Sequence, residues 1–86
     1  MQVELSPLAQ EHFAFWKKSG NKAILTKIEK LVVAIAENPY TGIGKPEALK
    51  HDLTGKWSRR IDLPNRIVYI VEDNTIIIYA LKGYYK

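Results

Sequence analysis

The sequence predicts an α+β domain of βααβββ order, with a helical hairpin packed on a mainly antiparallel sheet. Three observations point there. Apolar residues recur at helical spacing through the first half. β-branched and aromatic runs separated by short turns fill the last third. A stretch punctuated by Pro and Gly divides the two. At 86 residues the chain makes one domain, 1–86.

Val3 and Leu5 alternate with Gln2 and Glu4, which fits a short first strand. Ser6-Pro7 reads as a cap followed by proline at the first helical position, and a helix runs on to about Lys18. Leu8, His12, Phe15 and Trp16 are its expected buried stripe, and Ser19-Gly20-Asn21 breaks it. In the next segment Ile24, Leu25, Ile28, Leu31, Val32 and Ile35 fall on one helical face, with Lys22, Lys27, Glu29, Lys30 and Glu37 on the other. Asn38-Pro39 ends this second helix, and the short turn between the two predicts an antiparallel hairpin. Residues 38–56 read as a long surface connection. Strands are expected at Trp57–Ile61, Arg66–Val71 and Thr75–Leu81, with turns at Pro64-Asn65 and Asp73-Asn74. The last strand is apolar on both faces, as a central strand would be.

Composition narrows the function. Hydrophobic residues make up 47% and charged residues 26%, which excludes a disordered chain. The apolar runs fall short of the ~20 residues that a membrane helix needs, and no secretory signal is visible. The absence of cysteine excludes a disulfide framework and thiol catalysis. His12 and His51 stand apart from any cluster with ligand spacing, so neither a metal nor a cofactor is expected. The net charge of +4 is uneven: residues 45–66 hold six basic and three acidic residues, including all three arginines. A local basic cluster is the footprint of a nucleic-acid binder.

Metal-free RNA cleavage needs a base for the ribose 2′-hydroxyl, cations for the pentacoordinate phosphate, and help for the departing 5′-oxygen. Glu47 supplies a carboxylate for the first task. Arg66, with Arg59 or Arg60, supplies planar donor forks for the second. Tyr85 or Trp57 offers a ring on which an unpaired base can stack. Each residue also has a plainer reading. Glu47 beside lysine makes a solvated ion pair, Lys50 and His51 are ordinary loop residues, and Trp57 belongs to a core. Arg66 caps a carboxylate such as Asp62, and terminal tyrosines cover apolar surface. Arg59 and Arg60 are adjacent on a strand and so point to opposite faces, which leaves only one of them for a given site.

The stretch Lys45-Pro46-Glu47-Ala48-Leu49-Lys50-His51-Asp52-Leu53-Thr54-Gly55, followed by Trp57-Ser58-Arg59-Arg60-Ile61, closely resembles the YoeB/Txe branch of the RelE toxin superfamily. Gly42 and Gly44 sit where that pattern has its leading glycines, and Asn65-Arg66-Ile67-Val68-Tyr69 resembles a further family element. The resemblance is strong from Pro39 to Tyr85. It implies a RelE-like, microbial-RNase-like fold and a cytoplasmic toxin of a type II toxin–antitoxin system. Such a toxin cuts mRNA in the ribosomal A site by 2′-hydroxyl attack and is held inactive by a cognate antitoxin. Dimers are a tendency of this branch. Carried over by position, Glu47 is the general base and Arg66 stabilises the phosphate. Lys50, His51 and Arg60 are supporting RNA contacts, and Tyr85 helps to place the nucleotide; Arg59 joins the expected RNA contacts on its residue chemistry alone.

One position departs from the family pattern, which commonly ends in His-Tyr with the histidine as general acid. Here Tyr84 stands in its place. A phenol titrates near pH ~10 and an imidazole near ~6.5, so tyrosine is the more reluctant donor. Three consequences compete. Tyr84 acts as the acid, helped by Lys82, Lys86 or Arg66; or catalysis leans on charge stabilisation by Arg and Lys; or this member is attenuated or inactive. The rival reading from another class is a protein that binds ribosome and mRNA and blocks translation without cleavage.

Overall fold

In the computed structural model, which describes residues 1–85, strand β1 (Gln2–Leu5) leads into helices α1 (Pro7–Ser19) and α2 (Lys22–Glu37). Four strands follow: β2 (Glu47–Ala48), β3 (Trp57–Arg60), β4 (Arg66–Glu72) and β5 (Thr75–Ala80). They form one sheet in the order β1-β5-β4-β3-β2, antiparallel throughout except for the parallel β1–β5 pair. The architecture is α+β, as expected, with one strand more than the pattern announced. β2 has only two residues, too short to leave an alternation in the sequence, and it lies inside the stretch read as a connection. A single turn of 3-10 helix, His51–Leu53, occupies the same stretch.

Local chemistry sets the boundaries. The Ser6 hydroxyl accepts from the Ala9 amide at 3.0 Å, and Pro7 supplies a preset φ at the helix start. Asn21 caps α2 by accepting from Ile24 at 3.1 Å. Asp73 and Asn74 both adopt positive φ, 47° and 61°, between the paired residues Glu72 and Thr75. That is the two-residue hairpin whose twist matches its strands.

The helices cover one face of the sheet. Ile24, Ile28, Leu31 and Ile35 of α2 are buried against Ile67 and Tyr69 of β4 and Ile76 and Ile78 of β5. Each such side chain contributes roughly 1.5–3 kcal/mol when fully buried. The expected stripe of α1 needs correction. Phe15 is 49% exposed, and Ala9, Phe13 and Trp16 do the packing. Phe15 instead sets its ring edge-on to Trp16 and takes the Lys82 ammonium at 4.8 Å over its face. Trp16 Nε1 donates to the Leu81 carbonyl at 2.8 Å, while His12 Nδ1 accepts from the Leu81 amide at 3.0 Å. Two α1 side chains thus satisfy both backbone groups of the residue that follows β5.

A register shift between β4 and β5 sets Val68 opposite Ala80 but Tyr69 opposite Ile78, so Tyr79 is an extra residue on β5. Tyr79 and Ala80 consequently both join the cluster of Val68 and Leu49 on the face away from the helices, and Leu81 turns to the helix side.

Arg59 is fully buried on the helix side of β3. Its Nε donates to the Tyr69 hydroxyl at 3.1 Å and its Nη1 to the Ile43 carbonyl at 3.1 Å; Nη2 donates to the carbonyls of Thr41, at 3.0 Å, and Asn38. Tyr69 in turn donates to the Pro39 carbonyl. The loop after α2 has no regular structure to satisfy these carbonyls, and the guanidinium fork does so. Gly44 closes the same loop at φ +84°. A Cβ there would stand 2.8 Å from Leu31 Cδ2 and 3.0 Å from Arg59 Cβ. Sequence placed Arg59 among the RNA contacts; the structure withdraws it, because its charge is spent inside the fold.

Two predictions follow from this packing. Arg59→Lys keeps the charge but cannot reach four acceptors, so it costs about 2–4 kcal/mol in a denaturant titration, well beyond a surface substitution. For His12, burial first and the Lys82 charge second hold the imidazole below its ordinary range, against a smaller opposing pull from Glu11. The fold favours the neutral ring, so this contribution is present above the unfolded pKa of ~6.5 and is lost as pH falls below it. Thermal melts from pH 7.5 down to pH 5 should show that decline, and His12→Gln should flatten it.

Candidate active site

Strand alternation and register decide which side chains share the face opposite the helices. Glu47 pairs with Ser58, Ser58 with Val68, and Val68 with Ala80, so one row crosses four strands. Arg60 pairs with Arg66 two residues along from Ser58 and Val68. Side chains directly opposed in an antiparallel pair start with Cβ atoms about 4.5–5.5 Å apart. Two guanidinium-bearing residues therefore stand side by side next to the row that Glu47 begins. Like charges so placed repel, and a bound anion between them relieves the repulsion.

The two arginines differ in setting. Arg60 is exposed. Arg66 is 6% exposed, and its Nε is buried with no hydrogen-bond partner among the described residues. A buried cationic donor left unpaired is costly, and such sites recur where a ligand completes the bonding. The guanidinium carbon of Arg66 lies 4.6 Å from the Tyr84 ring centroid, over the face of the ring. Tyr84 itself is half exposed. Asp62, the carboxylate that sequence offered as an Arg66 partner, is used otherwise. It accepts from the Asn65 amide at 2.9 Å and from the Asn65 side chain at 3.0 Å.

That turn seats the tail. Asn65 Oδ1 accepts from Gly83 N–H at 3.0 Å, and the Gly83 carbonyl accepts from Arg66 N–H at 2.8 Å. The chain leaving β5 is thereby pinned beside the first residue of β4, which brings Tyr84 to Arg66. Tyr85 returns over Gly83 and packs, half-buried, on the Leu49, Val68 and Ala80 cluster. Burial, with a smaller push from Tyr79, raises its phenol above the ordinary range, so the ring stays neutral. Lys86, named with this tail in the sequence, lies outside the described residues.

Glu47 is exposed at the outer strand of the row. Lys50 and His51 are exposed on the turn after β2. Lys45 and His51 hold left-handed backbone, φ 52° and 57°, on either side of β2. Such strain in non-glycine residues collects at functional segments. Trp57 is on the helix side, half-buried with its ring 4.9 Å from that of Tyr40, and offers no platform on the open face. The structure therefore brings together Glu47, Arg60, Arg66, Tyr84 and Tyr85. It places Lys50 and His51 at the edge and removes Arg59 and Trp57. The tail-seating roles of Asp62, Asn65 and Gly83 had no distinct sequence signal beyond a turn, because they depend on a contact between residues eighteen apart.

The chain belongs to the YoeB-like toxins of bacterial type II toxin–antitoxin systems, whose family model matches residues 5–85. It is 41% identical over 75 residues to the toxin YoeB of Synechocystis sp., covering 87% of each chain. Among solved structures it resembles the toxin of a YoeB–YefM complex from Staphylococcus aureus, at 42% identity, TM-score 0.89, and coverage of 99% of this chain and 98% of that one. A YoeB dimer from the same organism gives 41% identity and TM-score 0.90 with the same coverage.

Asn65→Ala removes the acceptor for Gly83 and the partner of Asp62. Amide exchange followed by NMR should then speed up about tenfold at Gly83 and Arg66, with β1 and α2 protected as before.

Proposed function

We propose that this chain is a ribosome-dependent endoribonuclease toxin that cleaves mRNA in the ribosomal A site and so inhibits translation. The observation that carries this reading is the open sheet face, where the Glu47 row meets two opposed arginines and one of them keeps a buried donor unpaired among the described residues. Glu47 takes the proton from the ribose 2′-hydroxyl. The 2′-oxygen then bonds to the adjacent phosphorus while the bond to the 5′-oxygen breaks, leaving a 2′,3′-cyclic phosphate and a 5′-hydroxyl once a proton reaches the leaving oxygen. Arg66, with Arg60, stabilises the charge that builds on the phosphate. Lys50 and His51 add cationic contacts at the edge, and Tyr85 gives the base a ring. The route calls on no cofactor.

Tyr84 stands where the family pattern has its acid. Arg66 lies over the face of this ring, so the phenol's first contribution is to hold the guanidinium in place. This favours charge stabilisation over acid catalysis as the main source of rate. The ribosome supplies the rest of the geometry, and cleavage of free RNA is correspondingly slow. In the cell a cognate antitoxin neutralises the toxin, as the YoeB–YefM complex of the Staphylococcus aureus relative suggests, and a homodimer is the expected toxin assembly. The site of action is the cytoplasm.

Primer extension on a defined mRNA in a purified translation system tests the reading. Wild type should give cuts within the A-site codon. Glu47→Ala and Arg66→Ala should each lower the rate at least ~100-fold with melting curves little changed. Arrested translation with intact mRNA in the wild type would replace this reading with a non-catalytic blocker. Tyr84→Phe keeps the ring under Arg66 and should retain activity within a few-fold, whereas Tyr84→Ala should lose ten-fold or more. An inactive Tyr84→Phe would make the hydroxyl the acid.

A further inference from the structure

A second cation–aromatic pair stands on the open face, beyond the row of Glu47, Ser58, Val68 and Ala80. The Lys56 ammonium lies 5.1 Å from the Tyr79 ring centroid. Arg66 over Tyr84 is on one side of that row; Lys56 over Tyr79 is on the other. Lys56 and Arg60 are four residues apart along one chain segment, about 13 Å at strand rise, so a single phosphate does not touch both. Tyr85 packs on the same cluster as Tyr79, on Leu49, Val68 and Ala80. The face thus carries cations at both ends and tyrosine rings along its length.

The bulge explains why Tyr79 is available there. In a regular ladder Tyr79 would sit opposite Val68. The extra residue gives that place to Ala80 instead, and Tyr79 is left beside the row without a cross-strand partner. Its backbone carbonyl is anchored by the Ser6 hydroxyl at 2.7 Å. Tyr79 is partly exposed and packs against the Leu49, Val68 and Ala80 cluster. Lys56, by contrast, has its own backbone carbonyl fixed by the Leu49 amide at 2.9 Å, while its side chain reaches across β4.

We propose that Lys56 and Tyr79 form a second nucleotide subsite, which holds single-stranded RNA beyond the cleavage centre: the Lys56 ammonium swings from the Tyr79 ring to a phosphate, and a base takes its place against the ring. This inference rests on the endoribonuclease reading for its ligand. Rings with a cation beside them are the recurring way to bind unpaired bases without reading sequence. The subsite therefore lengthens the grip on RNA and contributes no group to the bond-breaking step.

The test measures equilibrium binding of a fluorescein-labelled, 2′-O-methylated RNA hexamer, which has no 2′-hydroxyl and cannot be cleaved. Fluorescence anisotropy on the full chain is run between about 50 and 200 mM salt. Lys56→Gln should lower the slope of log affinity against log salt by about 0.7, the value for one phosphate contact on a single strand. Tyr79→Leu, which keeps apolar packing, should weaken binding about tenfold with the slope unchanged, and Tyr79→Phe should bind as wild type does. A structural role alone would shift melting temperatures and leave the salt slope in place. A wild-type slope in Lys56→Gln together with wild-type affinity in Tyr79→Leu overturns the subsite, as does the absence of saturable hexamer binding by the wild type. If the hexamer results hold but the wild type cuts no mRNA on the ribosome, the endoribonuclease reading fails and the subsite stands.

Discussion

The buried guanidinium of Arg59 is the constraint on which the rest of the molecule depends. It ties the loop after α2 to the middle of the sheet through three carbonyls and the Tyr69 hydroxyl. A buried charge is tolerated only when its donors are matched, and here the matching groups are backbone oxygens that would otherwise face the core unpaired. The loop then enters β2 from a fixed point at Gly44, whose carbonyl accepts from Arg60. Glu47 owes its place across from Ser58 to that chain of contacts. A residue on the helix side thereby positions the carboxylate on the opposite side.

The two faces divide the labour. On the helix side, apolar side chains from α1, α2, β4 and β5 supply most of the stabilisation, and polar groups there are paired within the protein. On the open side the apolar cluster is small, built around Leu49, Val68 and Ala80, and charge gathers around it. Arg66 shows the difference. Arg59, on the neighbouring strand and the other face, has all its work inside the fold, while Arg66 keeps a buried Nε unmatched among the described residues. The fold bears the cost of that buried donor.

Much of this was legible in the sequence, and the parts that were not share a cause. Helix boundaries were set by residues that act locally, Ser6, Pro7, Asn21 and the Asn38-Pro39 pair, and α2 carries its buried face in its spacing. The Asp73-Asn74 hairpin is equally local. Glu47, Arg66 and the terminal tyrosines were reached through residue chemistry and family resemblance, and strand alternation correctly required that Arg59 and Arg60 part company. Which of the two goes inside was not readable, since it depends on carbonyls sixteen to twenty-one residues away. The α1 stripe misled because Phe15 has the residue type of a core position and the location of a rim, while Ala9, in helical register with Phe13 and Trp16, is too small to announce itself. β2, the bulge at Tyr79 and the Asn65–Gly83 bond are long-range events with no periodic trace.

The parallel pairing of β1 with β5 joins residues more than seventy positions apart: Val3 with Ile76, and Leu5 with Ile78. Ser6, His12 and Trp16 then hold the backbone of Tyr79 and Leu81. Synthesis proceeds from the N-terminus, so β1 and α1 emerge with their partner strand still to be made. The tail that carries Tyr84 and Tyr85 cannot be seated until β5 is inserted between β1 and β4, a non-local closure of the slow kind. The open face is therefore assembled last, after residue 85 has left the tunnel of the ribosome that made it. A partly synthesised chain has the arginines without the arrangement that the closed sheet and the seated tail give them.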